Sequence, residues 1–240
     1  MDIGSSTIKV YKYSGENLNL ILQRTIFFKD GFDPEGGISE NNKKELLELL
    51  DAVKEENKNS LIKTYATGIF RNLAPKTKIN FIDEIFLRTG IYFNIISHEL
   101  ENFYLEKGGD LINGVIRQEF RYVTISGSFR KHLDYILKVK KELENKGVHI
   151  LSPRFEEPKN PGEEFVIFTG EEGLSPLELE RYHLNSIENS DALIVCDPDG
   201  YVGASALLEI GYAHSLGKRI IFTEKPQEFI LNQLPHEVGL

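Results

Sequence analysis

Apolar residues in the first 110 positions form short runs between polar turns, with one longer stretch at helical spacing. In that stretch Leu46, Leu50 and Val53 recur every three or four residues, the period of a helix with one buried face. The two patterns together predict strands alternating with helices. The strands are expected over Ile8–Tyr13, Leu18–Phe28, Leu61–Ala66 and Tyr92–Ile96, and the helices over Asn41–Asn57, within Lys78–Arg88 and over Leu100–Lys107.

From Arg121 onward the alternation becomes more regular, with each short apolar run followed by a longer amphipathic stretch. Such alternation is typical of a doubly wound, mostly parallel sheet. A boundary between Gly108 and Gln118 gives an α/β protein of two domains, 1–110 and 119–240. The second is expected to have strands over Tyr122–Ser126, Val148–Leu151, Asp191–Cys196 and Arg219–Thr223, with a further one possible over Val166–Thr169, and helices over Arg130–Lys146, Ser175–Asn189 and Ala204–Leu216.

Composition narrows the classes of partner. The net charge of −9 gives a nucleic acid polymer no general electrostatic reason to bind, although loops and helix N-termini can still hold a small phosphate. The single Cys196 suggests a reducing compartment. No signal peptide and no apolar stretch of about 18 residues is visible, so we expect a cytoplasmic protein without a membrane partner. The scattered histidines indicate no metal, and no cofactor is expected.

A short polar loop opens the first half. It contains Asp2, Gly4, Ser5 and Ser6, and it leads into a strand–turn–strand. Glycine allows close approach to the backbone, and amides and hydroxyls in such a loop can contact phosphate. An ordinary turn has the same composition, so both interpretations stay open.

Three segments in the first half resemble the exopolyphosphatase / guanosine pentaphosphate phosphatase family, whose fold is shared with actin and sugar kinases. They are Asp2–Lys9, Ala66–Arg71 and Ile96–Glu101. The resemblance implies an actin-like, ribonuclease H-like half-domain. It also implies a catalytic glutamate in the third segment, at Glu101 or Glu99, since Leu100 replaces one carboxylate of the family pattern. The family's second lobe has no counterpart here. This half is therefore expected to sense a ligand or to oligomerise; phosphate-anhydride hydrolysis would need a second subunit.

Three polar clusters in the second half follow strands or enter helices, where open α/β sheets bind ligands. The first is Ser126, Gly127, Ser128, Phe129 and Arg130; the second contains Asp197, Asp199 and Gly203; the third contains Ser205 and Glu209. We expect Ser205 to cap a helix whose positive end keeps Glu209 ionised. The acidic segment Glu156–Glu164 is expected to be a lid or a solvated loop over the pocket mouth.

The same half resembles the nucleoside 2-deoxyribosyltransferase family and related nucleotide N-glycosidases. The matching segments are Ser126–Phe129, Ser190–Val195 and Glu209–Ala213. The resemblance implies a flavodoxin-like sheet, a homo-oligomer, a nucleoside or nucleotide as partner, and Glu209 as the nucleophile attacking the sugar.

Two positions depart from that family's pattern. His183 stands eight residues before Asp191, where an aspartate is usual, and Thr124 replaces a tyrosine. His183 lies on the apolar stripe of its helix and is either a core residue or a proton-transfer group. With Asp191 it is the expected support for Glu209. The sequence thus predicts cleavage or transfer at an N-glycosidic bond. The alternatives are non-catalytic nucleotide or phosphate sensing, and phosphatase-like activity of the first half.

Overall fold

The structure is a computed structural model that describes residues 1–14, 17–109, 111–112, 114, 119–163 and 165–240. The chain forms two compact units, Met1–Gly114 and Val115–Leu240. The predicted boundary lies largely outside the described residues, as do Gly15 and Glu16 of the predicted first turn. In the described part, no helix is long and apolar enough to cross a membrane.

The first unit contains a four-stranded mixed sheet. Its strands are β1 (Asp2–Ile3), β2 (Thr7–Ser14), β3 (Asn17–Thr25) and β4 (Tyr65–Ala66), in the order β3-β2-β1-β4. The first three strands pair antiparallel, and β1 pairs parallel with β4. The loop between β1 and β2 therefore lies at the edge where β4 also ends.

Helices cover the apolar side of this sheet. They are α1 (Glu40–Glu56), α2 (Pro75–Thr89) and α3 (His98–Gly108), with a 3₁₀ turn over Gly68–Asn72. Ser39 and Ser97 cap α1 and α3 by accepting a hydrogen bond from the backbone three residues on. The predicted leucine stripe of α1 is buried, and Phe28, Phe70 and Phe93 pack edge to face in the core.

The second unit contains a five-stranded sheet in which every pairing is parallel. Its strands are β5 (Tyr122–Gly127), β6 (His149–Ser152), β7 (Ala192–Cys196), β8 (Arg219–Phe222) and β9 (Glu237–Val238). The order β6-β5-β7-β8-β9 confirms the predicted parallel, doubly wound sheet. Its central strand β7 is entirely buried, as the unbroken apolar run Ala192–Cys196 predicts.

Three helices flank this sheet: α4 (Phe129–Asn145), α5 (Pro176–Asn189) and α6 (Ala204–Ser215). At α5 the predicted capping box is present, because Ser175 accepts from the Glu178 amide and the Glu178 side chain accepts from the Ser175 amide. The carboxyl ends of β5 and β7 lead directly into the loops before α4 and α6. Both loops therefore lie at one edge of the sheet.

Three local predictions are wrong. The run Tyr92–Ile96 is buried but makes only one isolated bridge, between Ile95 and Ala66, so it is not a strand. Within Val166–Thr169 only Phe168 forms a bridge, to Pro158. Helix α6 begins after Gly203, which is its N-cap, so Ser205 lies inside the first turn and does not cap it.

Candidate functional site

A cavity of about 260 Å³ opens in the second unit at the carboxyl edge of its sheet. Gly127 and Ser152 line it from the ends of the neighbouring parallel strands β5 and β6. The edge formed by the carboxyl ends of parallel strands is the usual ligand site of open α/β sheets. The volume is near the lower end for ligand pockets and suits a small metabolite.

Two helices point their N-termini at this cavity. Ser128 and Phe129 line it from the start of α4, and Gly203, Ala204 and Ser205 line it from the start of α6. Neither helix has a side chain that caps its first amides. Uncapped first-turn amides and the positive end of the helix dipole favour an anion.

His183 on α5 and Glu209 on α6 also line the cavity and face each other. His183 Nε2 lies 3.2 Å from Glu209 Oε2, which is ion-pair range without the alignment of a hydrogen bond. The other ring nitrogen, Nδ1, lies 2.8 Å from Ser152 Oγ. Ser152 therefore fixes the orientation of the imidazole ring, and the ring fixes the carboxylate.

Burial and pairing act in opposite directions on these two groups. Burial would raise the pKa of Glu209, but His183 and the nearby Ser126 hydroxyl outweigh it and hold that pKa below its usual value. Burial would likewise lower the pKa of His183, but the Glu209 carboxylate raises it. Both shifts favour the charged forms, an imidazolium beside a carboxylate, whose charges offset each other.

Two further acidic side chains line the cavity. Glu180 Oε1 is buried without a hydrogen-bond partner, and burial followed by the Glu209 charge raises the pKa of Glu180. Glu171 Oε2 accepts a hydrogen bond from the Phe168 amide at 3.0 Å, so it holds the loop that forms one wall. Arg130, predicted to contact ligand, also lines the cavity but is exposed.

The structure does not bring three of the predicted site residues to this cavity. Asp191 precedes β7 at the opposite edge, where its Oδ2 accepts from the Arg121 and Tyr122 amides. Asp197 is fully buried, and its Oδ1 accepts from the Thr223 hydroxyl and the Glu224 amide. Asp199 is an exposed turn residue at φ 60°. The side chains of Asp191 and Asp197 thus hold a strand end and a loop, whereas Asp199 contributes its backbone carbonyl, which accepts from the Gln227 side chain.

The segment predicted as a lid over the pocket is only partly described, because Glu164 lies outside the described residues. Glu156, at its start, pairs with Lys140 of α4 at 2.5 Å. The residues that follow the segment do reach the cavity: Phe165, Val166 and Phe168 line it, and Phe168 packs edge to face on Phe129. This part of the wall is apolar.

In the first unit, the structure brings together the three segments singled out from the sequence. The Ser5 hydroxyl of the β1–β2 loop accepts a hydrogen bond from the Ile69 amide at 3.2 Å. Gly68, at φ 63°, allows this approach because a β-carbon there would overlap the Ser5 hydroxyl. Two residues further on, Arg71 Nη2 donates to Glu101 Oε2 of α3 at 2.6 Å.

The Arg71 guanidinium is the clearest polar feature of this loop cluster. Its side chain is only 13 % exposed, and its Nε and Nη1 atoms are buried without a hydrogen-bond partner among the residues that the structure describes. Guanidinium N–H groups match the geometry of phosphate oxygens. Of the two glutamates considered for this site, Glu101 contacts Arg71, while Glu99 is exposed. The remaining predicted residues Asp2, Gly4 and Ser6 lie in β1 and its loop.

Sequence reasoning missed Ser152, Glu180 and the role of Arg71. Glu180 is three residues before His183 on the same helix, so the helical period could have indicated it. Ser152 ends the strand beside β5, and parallel pairing could have placed it at the same edge. Arg71 had no signal beyond its segment, because its burial depends on the distant α3.

Comparison with known proteins adds solved structures of low similarity. No family model matches the chain, and no curated protein does. The chain is similar to a Ppx/GppA phosphatase of Aquifex aeolicus, a type II variant, with 14 % identity and a TM-score of 0.35 over 81 % of this chain. It is also similar to an exopolyphosphatase from Cytophaga hutchinsonii ATCC 33406, with 12 % identity and a TM-score of 0.38 over 81 % of this chain. The chain spans 65 % and 64 % of the length of these two proteins.

These matches correct the predicted function. The prediction of cleavage or transfer at an N-glycosidic bond is wrong, because the matched structures are a phosphatase and an exopolyphosphatase. The resemblance of the second half to nucleoside 2-deoxyribosyltransferases finds no support in them, and Glu209 is not assigned as a nucleophile. The other resemblance, of the first half to the exopolyphosphatase family, agrees with the names of these structures.

Proposed function

We propose that the first unit binds a phosphoryl group beside Arg71 and hydrolyses a phosphoanhydride there. The observation that carries the proposal is the Arg71 guanidinium, which is nearly buried, is held by Glu101 through one nitrogen and has two N–H positions without a partner. A buried, unpaired cationic donor is costly unless an anion satisfies it. Phosphate oxygens that accept from these two N–H positions would do so.

The chemistry that we propose follows from the pair formed by Arg71 and Glu101. Glu101 accepts a proton from a water molecule whose oxygen attacks the phosphorus; the bridging P–O bond breaks and the leaving phosphate takes its electron pair. Arg71 stabilises the charge that spreads over the transferred oxygens. The loop with Gly4, Ser5 and Ser6 would contribute amides and hydroxyls to the same group. Another chain would supply the opposite wall of the cleft.

The test is orthophosphate release from polyphosphate and from nucleoside tri- and tetraphosphates. We expect release by the wild type and a loss of about 100-fold or more in both Glu101→Gln and Arg71→Ala, because each removes a transition-state contact. Glu106→Gln, an exposed glutamate on the same helix, is the matched control and should keep full activity. No release by the wild type, or equal loss in the control, would contradict the proposal.

A second candidate function is the binding of a small phosphorylated ligand, without turnover, in the cavity of the second unit. The observation that favours it is the convergence of two uncapped helix N-termini, those of α4 and α6, on one cavity. Among small phosphorylated ligands, the sequence predicts a nucleotide as the partner. Calorimetric titration with a nucleoside and its 5′-monophosphate tests the idea. Tighter binding of the monophosphate supports it, and equal affinity argues against it.

A further inference from the structure

Part of the lining of the second-unit cavity is acidic. Glu180 comes from α5 and Glu209 from α6, and among the described residues Glu180 Oε1 and Glu209 Oε2 are buried without an aligned hydrogen bond, although Glu209 Oε2 lies 3.2 Å from His183 Nε2. Glu209 is 5 % exposed, so its carboxylate is more than nine-tenths buried where it lines the cavity. Two acceptors of this kind mark a place for a ligand group with several donors.

The charges inside the cavity do not balance. His183 offsets Glu209 at 3.2 Å, and the remaining cationic side chain on the wall, Arg130, is exposed. No cationic side chain of the described cavity wall offsets the charges of Glu180 and Glu171. Of these two, only Glu171 accepts a hydrogen bond, from the Phe168 amide. Both glutamates act electrostatically on His183, so all four groups are neighbours. The lining therefore combines acidic side chains in excess with the positive ends of two helices.

An ammonium group satisfies the acidic part of the lining better than a hydroxyl does. An ammonium group has three N–H donors and a positive charge, whereas a hydroxyl has one donor and no charge. Two buried carboxylate oxygens need two donors, and the charge of Glu180 needs a cation to offset it. Without such a ligand, burial and the Glu209 charge raise the pKa of Glu180, so this carboxylate takes up a proton more readily than an exposed one.

We propose that the cavity binds a small zwitterion, with its anionic group at the first turns of α4 and α6 and its ammonium group between Glu180 and Glu209. The inference rests on the proposed anion site in this cavity and adds the second half of the ligand. It names a class, the amino phosphates and related amino acids, for which the cavity of about 260 Å³ is large enough.

The experiment is calorimetric titration of the full chain at pH 7.5 with three small phosphates. 2-Aminoethyl phosphate has an ammonium and a phosphate, glycerol 3-phosphate has hydroxyls and a phosphate, and ethyl phosphate has the phosphate alone. We expect 2-aminoethyl phosphate to bind at least about tenfold more tightly than either of the others, since charge-assisted hydrogen bonds are roughly twice as strong as neutral ones.

Variants locate the effect. Glu180→Gln should remove most of that tenfold preference while ethyl phosphate binds as before, and Glu142→Gln, an exposed glutamate on α4, should keep the preference. A thermal melt establishes that both variants fold. If ethyl phosphate or glycerol 3-phosphate binds as tightly as 2-aminoethyl phosphate, the ammonium site is overturned. The anion site of this cavity then stands if that binding persists in Arg71→Ala, and it is overturned as well if the binding disappears. If no phosphate binds to the folded wild type, both fail. A preference that persists in Glu180→Gln also overturns the assignment.

Discussion

Asp197 was expected to contact ligand, and its surroundings predict instead a pH-dependent cost to stability. The carboxyl group is fully buried at the end of β7, and only its Oδ1 atom has hydrogen-bond partners, Thr223 and the Glu224 amide. Burial outweighs these bonds and raises the pKa of Asp197 from 3.8 to about 6. The folded chain therefore binds this proton more tightly than the unfolded chain does.

The size of the effect follows from the shift. About two pKa units correspond to at most about 3 kcal/mol in the free energy of unfolding. The contribution of the Asp197 proton to the stability of the folded chain is fully present below pH 3.8 and is lost as the pH rises through about 6. Because part of the shift falls below pH 4.5, we expect a loss of about 1 to 2 kcal/mol in the free energy of unfolding between pH 4.5 and 7.5.

Urea unfolding of wild type and Asp197→Asn at pH 4.5 and 7.5 measures this loss. Asparagine keeps the acceptor oxygen for Thr223 and cannot ionise, so the variant should gain about 1 to 2 kcal/mol relative to wild type on going to pH 7.5. Asp199→Asn, at an exposed position two residues away, serves as the control. Its free energy of unfolding should differ from that of wild type by the same amount at both pH values. Parallel pH profiles for wild type and Asp197→Asn would refute the reasoning.

Two further predictions concern the buried pair and the core. The imidazole of His183 should titrate above pH 6.5 in wild type, and the midpoint, followed by NMR, should fall in Glu209→Gln because the largest contribution that raises this pKa is removed. The stabilising contribution of His183 is present below pH 6.5 and is lost as the pH rises through its raised pKa. An unchanged midpoint would mean that the two groups do not interact. Leu50→Ala in α1 should cost about 2 to 5 kcal/mol in urea unfolding, whereas Leu87→Ala, which is 64 % exposed, should cost within about 0.5 kcal/mol.

Local periodicity predicted the parts of the fold that depend on one buried face. The leucine spacing of α1 and the fully apolar run of β7 each have a single structural solution, and both were predicted correctly. The run Tyr92–Ile96 shows the limit of this reasoning. Its apolar residues indicate burial, but a strand also needs a continuous backbone ladder, and among the described residues the run has only one isolated bridge, in which Ala66 donates to the Asn94 carbonyl and accepts from the Ile96 amide.

The candidate sites were predictable only where they followed from strand ends and helix faces. His183 was placed on the buried face of its helix by spacing alone, and the structure buries it there. Asp191 could have been set aside, because a residue before a parallel strand lies at the edge opposite the ligand site. Arg71 could not have been found, since its contact with Glu101 joins segments 30 residues apart.

The two proposed anion sites differ in the kind of donor, and this difference makes them separable by experiment. The first unit offers a side-chain guanidinium, Arg71, whereas the second offers backbone amides at the starts of α4 and α6. One substitution can abolish the first site, but no side-chain change removes a backbone amide. Phosphate binding that persists in Arg71→Ala therefore belongs to the second unit. Binding that disappears belongs to the first unit, and the helix N-termini would then hold no anion of their own.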